Sequence, residues 1–402
     1  MKMAKDKNIN QDKIEELLTR GVDKIYPSKK ALEEVLRSGK KLRLYQGFDP
    51  TGDRLHIGHM VGFRKHRQWQ DLGHEVIFLI GDGTGQAGDP TGKKKTREKF
   101  FTQKELRANA KNYLSQASKI VRFNGPNPIK IMYNGDWLNK LSLVDILNIA
   151  QHFSVQQLIE RDMFQERLKN EESINLREFL YPLLQAYDSV VMDVDLELGG
   201  SDQTFNMLAG RTLLRAMKNK EKFVMTTPLL TDSKGVKIGK SEGNVIGLTD
   251  EPNDLYGKIM SLGDEAIIPM FTLLTAVPLD EIKTFNIKRE PMALKKKIAH
   301  SLVSFLHSEK EADKAEENFT NTFSKGKIPD EMLELGMNGE DEILLSVLVR
   351  NGIAKSKSEI RRLLDEGAIT NLDSGEKITD PAFVPKKNSR FRVGKHRFIK
   401  IK

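Results

Sequence analysis

The stretch His56-Ile57-Gly58-His59 constrains this chain more than any other. Residues 41–48 before it read as a short, mostly apolar strand, and residues 60–72 after it read as a helix that Gly73 stops. Two imidazoles therefore stand where a strand feeds a helix N-terminus. Unpaired backbone N–H groups and the helix dipole make such a place a collector of anions. Gly58 removes a side chain where a flat ligand could press on the backbone. Imidazoles can donate to phosphate oxygens as charge builds on them. A plain helix-capping role is the competing reading. Zinc fits poorly, because the pair lacks the Glu of His-Glu-x-x-His and the chain has no cysteine. No metal ligand set is expected.

With no cysteine, disulfides and thiolate chemistry are excluded, which fits a reducing, cytoplasmic setting. Residues 1–13 are polar and do not resemble a signal peptide, and no apolar run is long enough for a membrane span. A length of 402 residues predicts two or three domains. The formal net charge of +9 is uneven. Residues 341–402 carry 14 Lys+Arg against 8 Asp+Glu, a surplus of 6 that suggests a polyanionic partner.

Residues 8–39 read as helical, and 75–80 as a continuous apolar strand of the kind found inside a parallel sheet. The glycine loop after it contains Gly83-x-Gly85-x-x-Gly88, but Asp89-Pro90-Thr91-Gly92 breaks the chain where a dinucleotide site needs a helix. A Walker loop fails as well, because Ala87 stands at its first glycine and Lys94 at its Ser/Thr. Asp89 is then either a cleft carboxylate or a turn-former. A helix over 104–121, a strand over 129–133 and two helical patterns over 141–167 follow, with a break at Phe153-Ser154. Alternating strands and helices make the class α/β, a parallel sheet of Rossmann-like type.

Tyr181, Gln185 and Asp188 are spaced to share one helix face, a phenol, an amide and a carboxylate that would make a polar pocket wall. Pro182 suits a first turn or a kink. A strand is expected over 190–198, followed by Gly199-Gly200-Ser201-Asp202-Gln203 and a helix to Met217. Ligands of open α/β sheets sit beyond the strand C-termini, where Gly200 allows close approach and Asp202 could accept from ribose hydroxyls. Residues 228–244 hold Lys234, Lys237 and Lys240 among glycines, a loop able to bring ammonium groups to a triphosphate. Residues 253–323 read as helical, 324–339 as a linker, and the tail as two helices with short strands. The expected domains are 1–225, 226–325 and 341–402, with 326–340 as the linker.

In this order, Tyr-x-Gly-Phe-Asp-Pro-Thr with His-Ile-Gly-His, Gly-Asp-Pro-Thr-Gly-Lys, Leu-Gln-Ala-Tyr-Asp, Gly-Gly-Ser-Asp-Gln and Lys-x-x-Lys-Ser resemble the bacterial tyrosyl-tRNA synthetase family. The match spans residues 40–260, and the tail around 353–367 resembles an S-four-type RNA-binding module. The resemblance implies a Rossmann-like catalytic domain, a helical tRNA-contacting domain and a small α+β RNA-binding domain. It implies a homodimer that uses L-tyrosine, ATP with Mg2+ and tRNA(Tyr). By matching position, Tyr45 and Asp188 would bond the substrate phenol, and Asp89, Tyr181 and Gln185 its ammonium. His56 and His59 would stabilise the phosphate under attack, with Lys237, Lys240 and Ser241 on the lysine loop. Gly47, Asp49, Thr51, Gly58, Gly200, Asp202 and Gln203 would line the tyrosine and nucleotide cleft. Ile238-Gly239 and Thr204-Phe205 depart from the family pattern, and residues 371–376 add a polar turn. A tryptophan-type ligase and a non-enzymatic RNA binder are the rival readings.

Overall fold

The computed structural model describes residues 2–91, 100–231, 237, 245–321, 332–339, 341–354, 356–394 and 397–402, with side chains from residue 11 onward. Lys240 and Ser241 lie outside the described residues. The chain divides into two compact units. The first comprises Met1–Ser241, Val245–Asp250 and Gly263–Leu294; the second comprises Glu242–Asn244, Glu251–Leu262 and Lys295–Lys402.

The first unit is built on a six-stranded sheet: β1 (Lys24–Tyr26), β2 (Arg43–Phe48), β3 (Glu75–Ile80), β4 (Lys130–Tyr133), β5 (Leu196–Gly200) and β6 (Phe223–Thr227). Their spatial order is β1-β6-β5-β2-β3-β4. All neighbours run parallel except β1, which pairs antiparallel with β6. From β2 the chain winds outward through β3 and β4, then returns to the other side of β2 with β5. That reversal opens a crevice beyond the C-terminal ends of β2 and β5, where ligands of such sheets bind. β3 is buried from Val76 to Ile80, as its uninterrupted apolar run requires. Phe78 stacks on Phe48 at 4.5 Å, and Phe63 from the helix Ile57–Asp71 closes over Phe78 at 5.7 Å. Burying each such ring contributes about 2–3 kcal/mol.

Several expectations need correction. The segment 8–39 is not wholly helical, because Lys24–Tyr26 forms an edge strand between two helices. The apolar run after Asp188 belongs first to the helix Leu176–Met192; the chain turns at Asp193 (φ 48°), and the strand starts only at Leu196. A short apolar run reads alike as buried helix or strand, and here packing decides. Val190 joins Leu183 and Ala186 against Leu213 and Leu214 of the helix Thr204–Lys218. Pro182 is not in a first turn but sits buried inside the helix Leu176–Met192. Residues 141–167 give three helices rather than two: Leu143–Ala150, Val155–Ile159 and Asp162–Lys169. The glycine loop holds one helical turn, Thr84–Ala87, which ends at Gly88 (φ 84°), so the helix is broken ahead of Asp89-Pro90 as expected.

In the second unit, β7 (Leu333–Leu335), β8 (Ile369–Asn371), β9 (Arg390–Val393) and β10 (Arg397–Ile401) form a sheet in the order β7-β10-β9-β8. The helices Leu344–Arg350 and Lys357–Asp365 share its core through Leu344, Leu348, Ile360 and Phe391. β7 falls inside the stretch expected to be a linker; its Leu335 is buried in this core. The polar turn over 371–376 is ordered, with Asn371 N–H donating to Glu376 O at 2.8 Å. Among the described residues, no helix is long and apolar enough to cross a membrane.

Candidate active site

A cavity of about 480 Å³ opens at the β2/β5 crevice of the first unit. Every described residue named from the sequence as a candidate for the site lines it: Tyr45, Gly47, Asp49, Thr51, His56, Gly58, His59, Asp89, Tyr181, Gln185, Asp188, Gly200, Asp202, Gln203 and Lys237. The sheet supplies the floor, and the N-terminus of the helix Ile57–Asp71 supplies one wall.

The histidines are cap and site at once. His56 is the N-cap, its Nδ1 accepting from Gly58 N–H at 3.1 Å, while His59 Nδ1 accepts from His56 N–H at 3.2 Å. A neutral imidazole that accepts at Nδ1 carries its hydrogen on Nε2. The cap thus fixes the tautomer in which both rings present an Nε2–H donor. The rings lie 4.0 Å apart and are half-buried. Gly58 has a local reason: a Cβ there would stand 2.9 Å from the His56 ring. The segment after the lysine loop is stitched to the same motif, with Ile57 N–H donating to Ile246 O and Leu248 N–H to Leu55 O, both 3.0 Å. Lys237 donates to Asp202 Oδ2 at 2.7 Å, so a loop ammonium already reaches the cavity rim.

The opposite end is dry. Asp188 is 1% exposed and accepts from Trp137 Nε1 at 2.8 Å and Asn134 Nδ2 at 3.0 Å. Burial pushes its carboxyl well above the usual range; the two donors pull the other way, and the charges of Glu197 and Asp49 add to the rise. Asn134 Nδ2 also donates to Thr84 Oγ1, which donates to Asp49 Oδ1 at 2.7 Å, and Tyr181 donates to Asp49 Oδ2 at 3.0 Å. Burial first, then the charges of Asp49 and Asp89, hold the Tyr181 phenol well above its ordinary value. One chain of hydrogen bonds therefore joins Asp188 to Tyr181 through the glycine turn. Gly81 makes room for it, since a Cβ there would overlap Asp49 Oδ1. Asp89 is both turn-former and cavity wall: Oδ1 accepts from Thr91 N–H and Oδ2 from Gln203 Nε2, each at 2.9 Å.

Tyr45 is fully buried at the floor, its hydroxyl 3.0 Å from Ser189 Oγ. Burial, then Glu197 and Asp188, push its phenol well above its ordinary value. Gln185 Nε2 donates to Glu197 Oε1 at 3.0 Å. The sequence reading missed Asn134, Trp137, Thr84, Ser189, Glu197 and Lys222. An acid within an apolar strand, Glu197 in β5, and a lysine leading into another, Lys222 just before β6, were the available signal. At the departure Thr204-Phe205, Arg161 lies 4.8 Å over the Phe205 ring and donates to Thr91 Oγ1 at 3.1 Å.

The sequence profile of the tRNA synthetases class I (W and Y) matches residues 37–324. The chain is 40% identical to the tyrosine–tRNA ligase of Dehalococcoides mccartyi strain 195, covering 98% of this chain and 99% of that one. It is also 40% identical to the Thermotoga maritima tyrosine–tRNA ligase, with 96% of each covered. Its fold is similar to a C-terminally truncated mitochondrial tyrosyl-tRNA synthetase of Aspergillus nidulans, with a TM-score of 0.65 at 24% identity over 77% of this chain and 94% of that one.

Proposed function

The chain belongs to the class I tRNA synthetases of the tryptophan and tyrosine group, and we propose that it activates L-tyrosine with ATP and transfers the tyrosyl group to the 3' end of tRNA(Tyr). One observation carries the choice of tyrosine: the polar cavity floor, where the buried carboxylate of Asp188 and the phenol of Tyr45 border the same space. A phenol fits there as donor to Asp188 and acceptor from Tyr45. Phenylalanine would leave each group one hydrogen bond short in a buried place, beyond the bonds they keep to Trp137, Asn134 and Ser189, at about 1–3 kcal/mol each.

In the first step a tyrosine carboxylate oxygen attacks the α-phosphorus of ATP, and the bond to pyrophosphate breaks. The nucleophile is already ionised and needs no base. His56 and His59 donate through Nε2–H to phosphate oxygens as charge develops. Lys237, Lys240 and Ser241 serve the departing pyrophosphate, which enters as the magnesium complex of ATP. Asp89, Tyr181, Gln185 and Gln203 hold the ammonium and carboxylate of tyrosine. Gly47, Asp49, Thr51, Gly58, Gly200 and Asp202 take the nucleotide. In the second step a terminal ribose hydroxyl of tRNA attacks the tyrosyl carbonyl and AMP leaves.

Residues 1–225 hold this chemistry together with the lysine loop that opens 226–325, the rest of 226–325 meets the tRNA, and the basic tail 341–402 binds RNA. The protein works in the cytoplasm as a homodimer. Leu143, Val144, Leu147, Val155, Leu168 and Leu176 are 47–74% exposed on neighbouring helices of the first unit, which supports a partner of its own kind. A solution mass of a single 45.7 kDa chain would remove the dimer. The function is tested by amino-acid-dependent exchange of labelled pyrophosphate into ATP. Exchange with tyrosine is expected. Exchange with tryptophan alone, or with no amino acid, would contradict the proposal.

A further inference from the structure

Beneath Tyr45 lies a buried cluster to which the two-step reaction assigns no task. Lys222, Glu197 and Ser189 are each at most 1% exposed. Lys222 Nζ is bonded to Glu197 Oε2 and donates to Ser189 Oγ at 2.7 Å. Three elements bring them together: the helix Leu176–Met192, β5 and the residue entering β6. A fourth makes the space. Gly210, inside the helix Thr204–Lys218, has no Cβ; one would stand 2.5 Å from Lys222 Nζ and 2.9 Å from Ser189 Oγ. Glycine inside a helix is less favourable than alanine, because it gives up more backbone freedom on folding. A buried Lys–Glu pair is itself weak evidence of stability, since desolvation cancels much of its attraction.

The chemistry of donors explains what the cluster can do. An ammonium only donates, so Ser189 Oγ must accept from Lys222. Its single hydrogen then goes to the Tyr45 oxygen at 3.0 Å or to Glu197 Oε2 at 3.4 Å. Glu197 already accepts from Lys222 and Gln185, and Tyr45 is the nearer acceptor. With Ser189 donating to it, Tyr45 keeps its own hydrogen for one of two acceptors, the Glu197 carboxylate beside it or a ligand oxygen at the cavity floor that Tyr45 lines, and Glu197 is already taken up by Lys222 and Gln185.

We propose that Lys222, Glu197 and Ser189 are positioning residues that set the direction of a hydrogen-bond chain, Lys222 to Ser189 to Tyr45 to the substrate phenol to Asp188. The buried cation at one end and the carboxylate at the other make every bond point the same way. Tyr45 is thereby held as a donor, which selects a substrate whose para oxygen accepts one hydrogen bond while giving another. This rests on the reading that Tyr45 and Asp188 receive the phenol.

The test is pyrophosphate exchange with tyrosine and with phenylalanine in Ser189→Ala, Tyr45→Phe and the double variant. Ser189→Ala is expected to raise the KM for tyrosine about tenfold, with kcat within about twofold and kcat/KM for phenylalanine unchanged. Ser189→Thr, which keeps the hydroxyl, should restore discrimination to within about threefold. In the Tyr45→Phe background Ser189→Ala should add nothing, because the two act through one chain. Equal losses for both amino acids, an unchanged ratio, or full additivity in the double variant would overturn the proposal. Should Ser189→Ala fail to fold, Lys222→Met combined with Glu197→Gln carries the same comparison, with the same loss expected and an unchanged ratio overturning it. If the unaltered protein shows no tyrosine-dependent exchange, the functional reading fails instead.

Discussion

The two ends of the cavity are built on opposite plans. At the phenol end Tyr45, Asp188, Ser189, Glu197 and Lys222 are sealed from water, and their polar groups are tied into one network. At the phosphate end His56, His59, Asp202 and Lys237 are half-buried, drawn from a helix terminus and loops. The difference matches the work. Recognising a neutral phenol depends on the cost of leaving a buried partner unmatched, so that end must be dry and finished beforehand. Stabilising charge that exists only while phosphorus is attacked needs donors aimed at the empty position, and the polyphosphate must be able to enter and leave.

This contrast can be broken at either end. The largest effect is expected from Asp188→Ala, which removes the phenol's acceptor, leaves Trp137 Nε1 without its Asp188 bond and takes one of the bonds of Asn134. Tyrosine-dependent kcat/KM should fall about a thousandfold, with most of the change in KM. A loss confined to kcat would erase the distinction. His56→Ala should cost about a hundredfold, in kcat and with tyrosine affinity unchanged. It also removes a helix cap, so stability should drop by about 1 kcal/mol on thermal unfolding.

A smaller effect separates the imidazoles within one helix. His66, two turns past His59, is fully buried, and burial holds it down to about 3. His74 is lowered to about 4, by burial and then by the Lys41 charge. Both folded-state values lie below the unfolded value near 6.5, so unfolding takes up protons in between. Stability should therefore fall as pH drops below about 6.5, with each imidazole contributing up to about 1.4 kcal/mol per pH unit, until pH 4 for His74 and pH 3 for His66. Urea titrations across pH 4–7 check this, and His66→Phe should flatten the slope.

The same contrast sets how much was legible in the sequence. The phosphate end is local in the chain: His56 to His59 bond to one another within a single helical turn, and four-residue spacing reveals a cap and an anion site together. The phenol end joins residues from five segments, including Asn134, Trp137 and Lys222, none of which stands in a recognisable motif. Tyr181, Gln185 and Asp188 were visible as one helix face, yet their partners were not, because a partner across a sheet leaves no period. The parallel sheet itself was readable from uninterrupted apolar runs such as 75–80. The edge strand Lys24–Tyr26 was not, being three residues long with one charged. The false strand start at Val190 shows the limit of that signal: the same apolar run serves a buried helix face when a second helix lies against it.

The most direct test of the account is a crystal structure with a non-hydrolysable mimic of tyrosyl-adenylate. The phenol oxygen should lie within hydrogen-bond reach of both Asp188 and Tyr45, and the phosphate mimic beside the Nε2 atoms of His56 and His59. A phenol ring turned toward the histidines, or a ligand seated outside the β2/β5 crevice, would contradict it.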